Sequence, residues 1–228
     1  MYKYSFIVRN VNEARWIGHC IQSLIDFFGN SIEIIIVDNE STDDSLKIVR
    51  MFMNERHNLK IKILNISRSE YSPGKAINLG FQNLSSPDEN TIVGIISAHS
   101  QILNFDKDIA ADIFNSSDKC FGLIGKQTPI YLGKKIRKSY VWEHFNEDAR
   151  VKNMKELYLT HDHFYHNAFS FNKYSVWAEN PFDELVCAKE DRYWADDLVR
   201  KGYHFYYEPK IACNHHWTSN GATWRGIG

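Results

Sequence analysis

The chain has 228 residues, 43% of them hydrophobic and 24% charged, with a formal charge of −1 at pH 7. That is the make-up of a soluble globular chain with enough apolar matter for a sizeable core, and the even charge excludes an overall basic field of the kind that gathers nucleic acid. The apolar runs are strand-sized, far short of the roughly 20 residues of a membrane span, and four scattered cysteines with no CxxC pair argue against a disulfide framework and for a reducing compartment.

In chain order, Tyr4–Val8 reads as a short strand ending at Arg9-Asn10, with no signal-peptide core before it, which places the start of the chain in the cytoplasm. Arg15–Phe28 follows with a helical apolar period (Trp16, Ile17, Cys20, Ile21, Leu24). Ile32–Val37 is β-branched and almost wholly apolar, the pattern of a strand buried on both faces. Ser41–Asp44 reads as a capping box for a helix through Met53. Leu59–Leu64 is a third strand, Lys75 to about Leu84 a third helix behind Ser72-Pro73-Gly74, and Thr91–Ile96 a fourth strand ending at Ser97-Ala98-His99-Ser100. The order βαβαβαβ predicts an α/β fold with a mostly parallel sheet and helices on both faces.

The second half is less regular. Cys120–Gly125 reads as a strand, Val141–Ala149 as a helix, and Arg137–His163 as charged, aromatic loops facing an acceptor. Glu190–Lys201 is a helix stopped by Gly202, Tyr203–Tyr207 a strand, and His215 onward a tail. The basic run Lys134, Lys135, Arg137, Lys138 reads first as a solvated loop and second as a patch for phosphates or an anionic membrane surface.

In such sheets ligands bind beyond the carboxyl ends of the strands. Arg9, Asn10, Asn12 and Glu13, then Asp38 and Asn39, then Ser67 and Arg68, then Ser97 and His99 all fall on that rim. Asp38 suits the hydrogen bonds of a base or ribose, since Ser41 already serves as the helix cap. Arg68 and Lys75 could neutralise a diphosphate, or simply face solvent. Asp191 shares the inward stripe of Trp194, Ala195 and Leu198, so it is either a helix-end carboxylate stabilised by the dipole or a group held over a site with a raised pKa. His99, the His161-Asp162-His163-x-x-His166 cluster and His215-His216 have metal-ligand chemistry, although Cys213-x-His215-His216 lacks the second ligand pair of a structural zinc site.

These segments resemble family 2 glycosyltransferases of the GT-A fold. The resemblance runs through Phe6–Glu13, Ile34–Asp43, Pro73–Gly80, Asn167–Ser170, Pro181–Glu184 and Glu190–Ala195. It implies a single domain over 1–228, with a nucleotide-binding half (1–100) and an acceptor-binding, catalytic half (101–228). The activity implied is inverting hexosyl transfer from a UDP- or dTDP-linked donor to a hydroxyl of a glycan or lipid-linked acceptor, in bacterial capsule, O-antigen or other surface polysaccharide synthesis. The setting implied is the cytoplasm or, peripherally, the inner membrane face. Asp191 inherits the general-base role with Glu190 in support, and Asp38 the contact with base and ribose. Arg9, Asn10, Asn12, Glu13, Asn39, Arg68, Lys75, Asn78 and Ser97 fall to the nucleotide, and Gln127, Asn167 and Trp194 to the sugar or acceptor.

One departure matters: Ser97-Ala98-His99 stands where most members carry Asp-x-Asp, a variant resembling a bacterial rhamnosyltransferase-like subgroup. His99 with His215 or His216 could hold Mn²⁺ or Mg²⁺, but these hard cations prefer oxygen, and metal-independent catalysis stays open. So do two other classes: a catalytically degenerate sugar-nucleotide or glycan-binding module, and a nucleotidyltransferase, which usually needs the glycine-rich loop that Arg9–Arg15 lacks.

Overall fold

The computed structural model describes residues 2–55, 58–136, 164–221 and 224. Strands β1 (Lys3–Asn10), β2 (Glu33–Asp38), β3 (Lys60–Asn65) and β4 (Thr91–Ser97) pair in parallel in the order β3-β2-β1-β4. Every residue of β2 and β4 is buried. The strand period of two sends Phe6, Val8, Ile34 and Ile36 to one core, and Ile7, Ile35 and Val37 to the other. Each such fully buried Ile favours folding by roughly 2 kcal/mol before chain entropy is counted.

Helix α1 (Ile17–Phe28) covers the first face with Ile17, Cys20, Ile21 and Leu24. Helix α3 (Pro73–Gln82) covers the second; Ser72 caps it by accepting from the Lys75 N–H at 3.1 Å, and Pro73 sits where its missing N–H costs nothing. Gly80 lets α3 lie close on β1, because a Cβ there would stand 2.6 Å from Ile7 Cγ2. Helix α2 (Ser45–Glu55) corrects an expectation. Asp43 takes the capping position, accepting from Ser45 N–H at 2.9 Å and from the Ser45 hydroxyl. Ser41 instead donates its hydroxyl to Asp38 at 2.6 Å.

Beyond β4 the sheet continues β8-β6-β9-β5, with β7 on the edge of β6. These are β5 (Ser100–Asn104), β6 (Cys120–Tyr131), β7 (Lys134–Lys135), β8 (Phe169–Lys173) and β9 (His204–His216), with helices α4 (Lys107–Asn115), α5 (Tyr174–Glu179) and α6 (Glu190–Arg200). β8 is antiparallel to β4 and β6, whereas β9 runs parallel to β6 and antiparallel to β5. Two expectations change: β6 runs on through Lys126–Ile130, pairing Ala212–His216, and His215-His216 end strand β9 instead of opening a tail. The expected helix Val141–Ala149, the loops Arg137–His163 and the pair Arg137, Lys138 lie outside the described residues; Lys134 and Lys135 are exposed. Among the described residues no helix is long and apolar enough to cross a membrane. Cys20, Cys120 and Cys213 are buried free thiols and Cys187 an exposed one.

Candidate active site

The strand order reverses at β1, whose neighbours β2 and β4 lie on opposite sides, and this is where an open α/β sheet leaves a crevice. A cavity of about 540 Å³ opens there, between the ends of β1 and β4 and the first turn of α6. Its wall carries Arg9, Asn10, Glu13, Asn39, Ser97 and His99 from the first hundred residues, and Glu190 and Asp191 from α6.

The two carboxylates sit in opposite settings. Arg9 Nη1 lies 3.1 Å from Glu190 Oε1, a charge-assisted pair. Asp191 accepts the Asn167 N–H at Oδ2 (3.0 Å) and the Arg192 N–H at Oδ1 (2.9 Å). Burial raises the pKa of both, and for Glu190 the neighbouring Asp191 adds to the rise while Arg9 opposes it. A buried carboxylate held at both oxygens, on the wall of a cavity, is equipped to accept a proton.

A second set of polar groups stands across the cavity. His99 Nδ1 is 3.1 Å from Glu13 Oε1, and His99 Nε2 is 2.9 Å from His215 Nε2. His215 Nδ1 and His166 Nδ1 each lie 3.1 Å from Gln127 Oε1. The roles of these ring nitrogens follow from the tautomers and the Gln127 amide orientation: with a proton on either Nε2 the contact between His99 and His215 is a hydrogen bond, and with both protons on Nδ1 the facing Nε2 lone pairs suit a cation. Two ring nitrogens about 2.1 Å from one metal ion and at right angles stand about 3 Å apart, which this pair matches. Among the described residues no group of three or more His, Cys, Asp or Glu side chains converges to hold a metal, so the pair is at most half a coordination shell. Burial lowers the pKa of His215 well below its ordinary value, with the neighbouring histidines adding to the effect.

The profile described as Glycosyl transferase family 2 matches residues 5–176. The chain belongs to that family. It is 25% identical over 201 residues to the minor teichoic acid biosynthesis protein GgaA of Bacillus subtilis, covering 87% of this chain and 43% of that one. It is 32% identical over 84 residues to the poly(ribitol-phosphate) beta-N-acetylglucosaminyltransferase TarS of Staphylococcus aureus, covering 36% of this chain and 14% of TarS. The chain thus spans less than half the length of the curated relatives it matches. A crystal structure of TarS 1–349 in complex with UDP-GlcNAc superimposes with a TM-score of 0.68 at 19% identity, covering 99% of this chain and 62% of that one. GalNAc-T7 with UDP, GalNAc and Mn²⁺ superimposes with a TM-score of 0.72 at 14% identity, over 97% and 45%. The fold is the GT-A fold of these glycosyltransferases.

Within this glycosyltransferase domain the expected site residues separate into three groups. Arg9, Asn10, Glu13, Asn39, Ser97, His99, Glu190 and Asp191 meet on the cavity wall. Asp38, Gln127, Asn167 and His215 stand behind it, each 1% exposed or less. Asp38 Oδ1 accepts the Asn10 amide at 2.6 Å, so it orients a wall residue.

Six others lie off the wall. Asn12, with φ of 51°, pins the turn to Thr42 and Asp43. Arg68 contacts Glu40, and Lys75 lies 3.8 Å from Glu70. Asn78 binds Phe182, Glu184 and Trp177, while Trp194 is core, stacked on Phe182. His216 points to the opposite sheet face, stacked on Trp16 at 4.0 Å. Sequence reasoning missed Tyr71, Lys189, Arg192 and Asn220, which line the cavity. Lys189 has φ of 61°, a strained backbone value that no sequence pattern announces.

Proposed function

We propose that the chain is the catalytic domain of an inverting glycosyltransferase that moves a sugar from a UDP-linked donor to a hydroxyl of a bacterial cell-wall or surface glycopolymer. The carboxylate of Asp191 carries this reading, buried and clamped on the wall of the cavity shared with Asn10, Asn39 and His99. The likeness to GgaA, a minor teichoic acid biosynthesis protein, and to TarS, a poly(ribitol-phosphate) beta-N-acetylglucosaminyltransferase, supports the polymer class, and the TarS complex with UDP-GlcNAc supports the donor class. The nucleoside falls to residues 1–100 at Asn10 and Asn39, and the acceptor and base to 101–228. A lipid-linked acceptor at the inner membrane face is part of the proposal.

In the reaction the acceptor O–H proton passes to Asp191. The oxygen attacks the anomeric carbon, the bond from that carbon to the diphosphate oxygen breaks on the opposite side, and the configuration inverts. Lys189, just before α6, and Arg192, in its first turn, both on the cavity wall, offset the growing diphosphate charge in place of Arg68 and Lys75. His99 and His215 would hold a divalent cation, Mn²⁺ better than Mg²⁺ because Mg²⁺ demands oxygen ligands. When bound it supplies further positive charge to the leaving group.

The test has two parts. A thermal-shift panel of UDP-, dTDP- and GDP-sugars should show stabilisation by the UDP series; a dTDP preference moves the donor to the rhamnosyl type. With the preferred donor, Asp191→Asn should lower turnover by about two to four orders of magnitude while keeping nucleotide affinity. Near-normal turnover in Asp191→Asn overturns the reading, and donor binding with no transfer to any acceptor replaces it by a binding module. Undiminished turnover in chelator assigns the His99–His215 contact to a shared proton.

A further inference from the structure

Arg9 is the penultimate residue of β1 and lies on the cavity wall, where a guanidinium would ordinarily be assigned to the donor's phosphates. Its two terminal nitrogens are instead engaged by the protein. Nη1 pairs with Glu190 Oε1 at 3.1 Å and Nη2 donates to the Asn167 carbonyl at 3.4 Å. The N–H of the same Asn167 donates to Asp191 Oδ2 at 3.0 Å. Glu190 and Asp191 are consecutive in the first turn of α6, so these contacts close a ring through Arg9, Glu190, Asp191 and Asn167. We infer that Arg9 is a positioning residue, the clasp that fixes the Asp191 carboxylate against the segment before β8, and not a ligand of the donor. The inference rests on the proposed role of Asp191 as base.

Geometry and charge both favour it. Consecutive helical residues point about 100° apart, so a planar two-armed donor can hold Glu190 with one arm and the peptide that grips Asp191 with the other. A lysine, a single point charge, cannot span both. Two adjacent buried carboxylates also cannot both stay ionised without compensation, and Arg9 supplies the compensating cation. The other charged or titratable groups facing this pair are Arg192 on α6, His166 and Tyr165 before β8, and Tyr71 beside Arg9. Removing Arg9 takes away the charge paired directly with Glu190. Glu190 and Asp191 then hold their protons to higher pH, and a base that must be deprotonated loses activity sooner as pH falls.

The experiment uses the full chain with Arg9→Gln, Arg9→Lys and Arg9→Gln/Glu190→Gln. Three quantities are measured: the pH profile of turnover, UDP affinity, and a ¹³C-carboxyl NMR titration of Glu190 and Asp191 without substrate. Arg9→Gln should lose about 10²-fold in kcat through misplacement of the base, with UDP affinity unchanged and the acid limb moved to higher pH. The double variant should bring the limb back down, because the second carboxylate is gone. Arg9→Lys should keep the limb near its native position yet still lose kcat, which separates charge from geometry if Arg9→Gln fails to fold. The NMR titration does not depend on turnover, so it stands even if Asp191→Asn removes Asp191 from the mechanism. Carboxyl signals that titrate as in the native chain, or a UDP affinity reduced by about tenfold (1.4 kcal/mol) with an unmoved acid limb, would overturn the inference.

Discussion

The two halves of the sheet are built by different rules. In β1 to β4 each strand is parallel to its neighbour, each crossover is a helix, and the pairing registers run without interruption. In the other half the strands pair out of chain order, and β9 shifts register against both β6 and β5, at Gly125/Lys126 and Ile102/Asn104. That half also carries many of the buried polar groups: Gln127, Asn167, Ser170, Asn172, Glu208 and His215. The lesson is a division of labour. Local periodicity makes the platform, and non-local pairing brings in Glu190, Asp191 and His215, the groups to which the proposal assigns the chemistry.

The join between the halves is the place to break this comparison hardest. Asn78 on α3 donates to the Phe182 carbonyl at 2.9 Å and Glu184 Oε1 at 3.0 Å, and accepts from Trp177 Nε1 at 2.9 Å and Phe182 N–H at 3.1 Å. Asn78→Ala leaves several of these groups buried and unpaired, for a loss of about 3 kcal/mol. In a chain of this size that lowers Tm by roughly 6–12 °C. Hydrogen exchange should show protection lost first around 177–191, with β1–β4 still protected. Uniform loss over both halves would mean that the platform has no independent stability.

The same contrast decides what the sequence could disclose. Tyr4–Val8, Ile32–Val37 and Thr91–Ile96 are apolar on both faces, so their pattern announces buried parallel strands, and the structure places them as β1, β2 and β4 within two residues at each end. The helix expected from Lys75 begins two residues earlier, at Pro73, so that Ser72-Pro73-Gly74 is its cap and opening and not a loop before it. β8 and β9 escape the apolar pattern or are cut short by it because buried polar residues stand within them. Ser170, Asn172, His215 and His216 interrupt the apolar alternation with buried polar groups, and these gain partners only once distant strands meet. The rim residues Asn10, Asn39 and His99 were legible because they follow strands. On the sequence Arg68, Lys75 and Asn78 fall to the ligand, because spacing cannot tell a side chain that reaches the cavity from one that turns to a neighbouring loop. Lys189 and Asn220 carried no pattern at all.

Acid should weaken the second half before the first. Burial lowers the pKa of His166 to about 3, with Arg9 and Arg192 lowering it further and Glu190 opposing. His204, His215 and His216, also of this half, are depressed by burial as well. A histidine whose folded pKa lies below its unfolded value of about 6.5 favours the native state fully above that pH, and this contribution is lost as pH falls from about 6.5 towards the folded value. Tm should therefore drop by several degrees between pH 7 and pH 5, and exchange protection should fade first in β6, β8 and β9. His166→Gln, which has no proton to gain, should show a shallower drop. An equal slope in the variant would mean that His166 charges freely in the native state.

A smaller effect sharpens the comparison at the cavity mouth, where the two halves face each other. Cys187 is exposed and lines the cavity two residues before Lys189, whereas burial pushes the thiols of Cys20 and Cys120 up to about 12 and raises that of Cys213 too. Alkylation requires the thiolate, so iodoacetamide on the native chain should modify Cys187 alone, and all four thiols only after denaturation. A bound UDP-sugar should slow that labelling severalfold, because it would fill the cavity that Cys187 lines. If donor leaves the labelling rate unchanged while Asp191 still proves to be the base, the 185–189 segment belongs to the acceptor's path. The division at the cavity would then run between Lys189 and Arg192, and not between the two halves of the sheet.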